Sequence, residues 1–169
     1  MVETGTAPQA AMVRKETIGN TIATAVIAAI LTWAIFRGQS AIPVSVKAPG
    51  GIFGILPGTF NFTLLVTIAL TLITRRRVTK GLYGRVAPQD GNQRGRSLPS
   101  NVLLRGVVLG FAATLIFVPI AAGAVWLATR AGLLPAVWSF EGMLAFFVLY
   151  FVALSWIVTP VVIWSALRD

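Results

Sequence analysis

The stretch GMLAFFVLYFVALSWIVTPVVIWSAL, Gly142 to Leu167, carries no charged side chain. It exceeds the roughly 20 residues that an α-helix needs to cross about 30 Å of hydrocarbon. A tract of this length and apolarity reads as a transmembrane helix. Three more charge-free tracts precede it: Thr17 to Phe36, Ala48 to Thr74 and Gly106 to Thr129. Pro49, Gly50, Gly51, Gly54, Pro57 and Gly58 interrupt the first third of the second tract. The second spanning helix is therefore expected to start near Pro57 or Thr59; Pro57 suits a first-turn position, where a proline loses no hydrogen bond.

Composition agrees. Of 169 residues, 56% are hydrophobic and 11% charged, and mean hydropathy is +0.82. Ordinary globular chains carry about 25% charged residues, and so small a soluble fold has too little interior to hide this much apolar surface. Arg14 and Lys15 could open a signal peptide, but the apolar run that follows is too long for one and Gln39-Ser40-Ala41 is a poor cleavage site. The first helix is expected to remain.

Basic residues set the orientation. Arg14, Lys15, Arg75, Arg76, Arg77, Lys80, Arg85, Arg94, Arg96, Arg105 and Arg168 fall on one side of a four-helix path, and only Arg37, Lys47 and Arg130 on the other. The positive-inside bias puts the first group, with both termini, in the cytoplasm. The expected fold is an all-α integral membrane protein: a four-helix transmembrane bundle of two antiparallel hairpins in a bacterial inner (plasma) membrane. Its parts are a cytoplasmic tail (1–16), spans over 17–36, 57–74, 102–129 and 141–167, external loops over 37–56 and 130–140, a basic cytoplasmic loop over 75–101 and a cytoplasmic end at 168–169. Trp33, Trp126, Trp138 and Trp164 sit near helix ends, as interfacial anchors do.

The first external connection alternates apolar and polar residues over Ile42 to Lys47, as a short extended segment does. The apolar, glycine-rich run that follows, Gly50 to Leu56, reads as an interfacial lid or a re-entrant segment, which lipid permits only where protein or water satisfies its backbone. Trp33-x-x-x-Arg37-Gly38 with Pro43 resembles Trp126-x-x-x-Arg130-x-Gly132 with Pro135. If the match reflects duplication, the hairpins are parallel repeats about an axis along the membrane normal.

The candidate sites are few. Thr59, Thr63, Thr67 and Thr71 recur every fourth residue, which puts their hydroxyls on one helix face, with Asn61 nearby. The row suits close helix packing, each hydroxyl bonding its own i−4 carbonyl, or a polar path for a solute. Glu141 is a carboxylate bordering the fourth apolar tract. With Ser139 as N-cap it suits the first turn of the fourth helix, facing the positive end of the dipole. An inward Glu141 would instead complete a path with Asn61, Thr63, Thr67 and Thr71. The stripe Asn20, Thr21, Thr24, Ala28 and Thr32 is expected to pack against the second helix, and Gly106-x-x-x-Gly110 with Ala113 suits close helix contact or dimerisation. Pro119 and Pro160 should kink their helices, with Ser155 and Thr159 re-satisfying the freed backbone.

Arg75, Arg76, Arg77, Lys80 and Arg85 are expected to meet anionic lipids of the cytoplasmic leaflet, each contributing about 1 kcal/mol, or an acidic protein partner. The segment lacks the interleaved aromatics of a nucleic-acid site. The sequence has no Cys and no His, which removes thiol, thiolate-metal and imidazole chemistry, and its five acids are scattered. No cofactor or metal is expected. Three functions follow in order: a non-catalytic accessory, lipid-binding or partner-binding membrane component; a small transporter or channel subunit working as a homo-oligomer; and, least favoured, a membrane-embedded lipid enzyme.

Overall fold

The computed structural model describes residues 6–44, 52–81 and 98–167. In chain order they form α1 (Thr6–Phe36), β1 (Ile42–Pro43), α2 (Ile52–Thr79), α3 (Val102–Arg130), β2 (Val137–Trp138) and α4 (Phe140–Leu167). Each helix contains a segment long and apolar enough to cross a membrane: Ala10–Phe36, Ile55–Thr79, Val102–Arg130 and Phe140–Leu167.

The helices outrun the charge-free tracts. Helix α1 begins well before Thr17, and α2 spans Ile52 to Thr79 rather than 57–74. Charge limits a span, not a helix: Arg and Lys are good helix formers, so Arg75, Arg76 and Arg77 continue α2. Pro57 lies inside α2, and Ile55, placed by sequence in the external loop, is 0% exposed in the core. Residues 52–56 thus belong to α2 instead of the connection before it. The rest of that run, 50–51, lies outside the described residues. The helix ends follow capping rules. Asn101 accepts from Leu103 N (2.9 Å) and Leu104 N (3.3 Å) at the start of α3, while Gly38 (φ +85°) and Gly132 (φ +72°) follow the ends of α1 and α3, where a left-handed residue favours glycine.

Packing departs from the expected hairpins. Helix α1 lies along α4, α2 along α3, and α2 also meets α4, giving the neighbour order α1–α4–α2–α3. The two sequence-adjacent pairs linked at this end, α1/α2 and α3/α4, are not the packed pairs. Each connection skips a neighbour, and the two meet. Ile42 pairs antiparallel with Trp138 and Pro43 with Val137, and Val44 N donates to Ala136 O at 3.1 Å. The predicted extended segment at Ile42 is therefore half of a short ladder. The sequence had no partner for it to name.

Close approach explains the α2–α3 pair. A Cβ on Gly106 would stand 2.8 Å from Leu64 Cδ1, and one on Gly110 3.0 Å from the Phe60 ring and 3.3 Å from the Phe60 carbonyl oxygen. The Gly106-x-x-x-Gly110 surface is thus spent inside the chain, which removes the dimerisation reading. Helix α4 runs through all three core clusters. Met143 and Phe147 join Phe36, Ile42, Val44, Ile55, Val125 and Trp138; Leu154, Val158 and Val162 join Leu70 and Ala113; Ile163 and Leu167 join Val13. Outward faces stay apolar, with Ile22 62% and Leu115 74% exposed. Trp138 is buried and donates Nε1–H to Pro135 O at 2.9 Å, so it plugs the core instead of anchoring at the surface as expected.

Glycine positions separate these contacts. Gly110→Ala should lower stability by about 1–3 kcal/mol, the cost of overpacking against a neighbour that cannot yield. Gly123→Ala, with open space around it, should be neutral or stabilising by about 0.5–1 kcal/mol from helix propensity. Unfolding of the purified protein in mixed micelles checks both.

Candidate functional site

Among the described residues, two polar systems lie between the helices. The first joins α1 to α4. Asn20 Nδ2 donates to Ser155 Oγ at 3.0 Å and to Thr159 Oγ1 at 2.8 Å. Thr24 Oγ1 donates to the same serine oxygen at 3.3 Å, and Thr21 Oγ1 and Ser155 Oγ lie 3.5 Å apart. Asn20 and Thr24 are one helical turn apart, as are Ser155 and Thr159, so two i,i+4 pairs face each other. The expected partners were different. Sequence paired the α1 stripe with α2 and reserved Ser155 and Thr159 for the backbone near Pro160, whereas the structure commits both hydroxyls to Asn20. The signal lay in the sequence: each helix carries one amide or hydroxyl pair at matching depth, and an asparagine amide cannot satisfy itself by back-bonding.

The second system is the α2 threonine row. Thr59, Thr63, Thr67 and Thr71 are all 0% exposed. Thr59 behaves as back-bonding predicts, donating to Ile55 O at 2.6 Å, with Tyr150 Oη also 2.6 Å away. The hydroxyls of Thr63, Thr67 and Thr71 have no hydrogen-bond partner among the described residues. Burying a hydroxyl without a partner costs about 1–3 kcal/mol, so this seam carries unmet polar demand.

The other predicted path residues are not in the row. Asn61 is exposed, half a helical turn away from Thr59 and Thr63. Glu141 is exposed at the start of α4. Ser139 caps that helix: its carbonyl accepts from Met143 N at 3.1 Å and its Oγ from Gly142 N at 3.2 Å. Glu141 thus stands in the first turn beside the positive helix end, remote from Thr67. The recess near this end, about 10 Å³, is lined by Ile55, Trp138, Met143, Phe147 and other apolar side chains. It is at the lower limit for a single water and offers that water no polar partner.

The basic residues divide by role. Arg77 forms an ion pair with Glu16 of α1, Arg75 Nη2 donates to Ser100 O at 2.7 Å, and Arg105, 1% exposed, donates Nε–H to Pro99 O at 2.9 Å. Arg14, Lys15, Arg76 and Lys80 are exposed, and the Glu16–Arg77 pair fixes them at one end of the bundle. Sequence missed the burial of Arg105, because its position at a span boundary looked like any other topogenic charge. Arg85 lies outside the described residues. Among the described residues no group of three or more metal-ligating side chains occurs.

No protein-family model matches the chain, and neither a curated protein nor a solved structure matches it. The geometry of these residues carries the functional reading alone, beginning with a contrast between two asparagines. Asn20→Ala should cost about 1–2 kcal/mol, since hydrogen bonds between membrane helices average about 0.6 kcal/mol and two are lost together with their partners' satisfaction. Asn61→Ala should change stability by less than about 0.5 kcal/mol, as exposed substitutions do. Both are read from unfolding in mixed micelles.

Proposed function

We propose that this chain is a non-catalytic component of the bacterial inner membrane whose basic end lies at the cytoplasmic leaflet and holds anionic lipids. The exposed quartet Arg14, Lys15, Arg76 and Lys80 at one end of the bundle carries this reading. Arg76 lies where α2 continues beyond its charge-free tract and Lys80 follows the last residue of that helix, which suits both to headgroup level. Each such cation near an anionic leaflet contributes about 1 kcal/mol. Two features of the described residues support the same reading: Ser155 and Thr159 accept from Asn20 across the α1–α4 contact, and the recess at the Trp138 end is apolar. An acidic protein partner at the same surface is the companion role.

Replacing the quartet by glutamine should reduce the preference for phosphatidylglycerol over phosphatidylcholine at least tenfold, given about 1.4 kcal/mol per decade. Native mass spectrometry of the purified protein titrated with both lipids measures it. An unchanged preference overturns the lipid role.

A second reading, a transport subunit acting as a homo-oligomer along the α2 threonine face, draws on the unpartnered hydroxyls of Thr63, Thr67 and Thr71. Valine keeps the shape and removes the hydroxyl, so one variant separates the readings. If the seam only packs, the triple Thr→Val protein should be as stable as the parent or more stable, by up to about 1 kcal/mol per site, with unaltered ion leak through proteoliposomes. Loss of a leak that the parent shows favours transport.

A further inference from the structure

At the end opposite the basic quartet the same device occurs twice. The Arg37 guanidinium carbon lies 5.0 Å from the centroid of the Trp33 ring, and that of Arg130 lies 4.9 Å from the Trp126 ring. Each pair is spaced i,i+4, so ring and cation share one side of the chain. Trp126 and Arg130 occupy the last turn of α3, and Arg37 follows the last residue of α1 with its N–H still donating to Trp33 O at 2.9 Å. The indoles are 51% and 55% exposed and both arginines are exposed. Neither arginine meets a carboxylate among the described residues, although Glu141 stands at the same end of the bundle.

We infer that Trp33–Arg37 and Trp126–Arg130 are two phosphate clamps, each holding the headgroup phosphate of one phospholipid in the leaflet opposite the basic quartet. A guanidinium presents five donors in a planar fork matched to phosphate oxygens, and stacking on an indole fixes that plane while leaving its edge outward. The tryptophan supplies the second contact, because an indole at the interface packs against acyl chains with its polar edge toward the headgroups. The two clamps close the α1 and α3 charge-free tracts, where a spanning helix meets the phosphate layer. The positive-inside bias works against arginines on this side, and a bound phosphate compensates each charge that no carboxylate compensates. The ligand is set by its phosphate, so headgroups with and without net charge serve equally. This separates the clamps from the quartet, which selects net negative lipid.

Native mass spectrometry of the full chain released from phospholipid nanodiscs tests the inference. The parent should retain up to two phospholipids through activation that strips the rest, as readily with phosphatidylcholine as with phosphatidylglycerol. Added diacylglycerol, which lacks phosphate, should not substitute, and inorganic phosphate in the buffer should not displace the lipids. Arg37→Gln and Arg130→Gln should each remove one retained lipid and the double variant both, while the glutamine quartet variant keeps both. Retention unchanged in the double variant, or equal retention of diacylglycerol, overturns the clamps. Displacement by inorganic phosphate overturns the lipid assignment. Should the double variant fail to assemble, the single variants decide, each by the loss or persistence of one lipid.

Discussion

Apolar side chains cannot choose helix neighbours in a bilayer, because lipid tails are as apolar as leucine. Everything specific about this bundle therefore rests on a few contacts that lipid cannot replace. On one side the Asn20 amide reaches two hydroxyls of α4. On the other, glycines of α3 bring its backbone within reach of Phe60 and Leu64 of α2. These contacts assign α1 to α4 and α3 to α2, and α4 with α2 closes the row. The exposed leucines and isoleucines of α1 and α3 would suit any neighbour, and they face outward.

The neighbour order explains the connections. Once α1 is committed to α4, the chain leaving α1 must pass α4 before entering α2, and the chain leaving α3 must pass α2 before entering α4. The two paths meet in the β1–β2 ladder, which satisfies backbone groups that would otherwise be buried beside Trp138 and Ile42 without partners. Exchanging α1 with α3 and α2 with α4 leaves this order unchanged, and it maps one Trp–Arg pair onto the other.

The four helices were legible because length and charge alone mark a span, and both are local properties. Their pairing was not legible. Adjacent helices with a short connection default to hairpins, and nothing local to Ile42 announces that its partner is Trp138. Asn20, Ser155 and Thr159 were visible as polar residues in apolar tracts, but each admitted another explanation, packing against the second helix for Asn20 and patching a proline break for the two hydroxyls. Only the long-range packing reveals that they answer one another. Asn61 shows the converse. Its sequence neighbourhood made it look like part of the threonine row, although two residues along a helix turn a side chain to the far face.

The threonine seam is where the structure leaves a choice open to the molecule. A helical threonine has two favoured χ1 rotamers, one of which lets the hydroxyl bond the carbonyl a turn before it. Thr59 uses that bond, and Thr63, Thr67 and Thr71 do not. Their methyl and hydroxyl groups are similar in size, so rotation exchanges an apolar for a polar surface against α3 or α4 with little change in volume. At the α1–α4 joint, by contrast, the Ser155 and Thr159 oxygens each accept from the Asn20 amide, which holds those hydroxyls in one orientation. The unpartnered hydroxyls of the bundle's described residues thus line α2, whereas those at the α1–α4 contact are bonded across it.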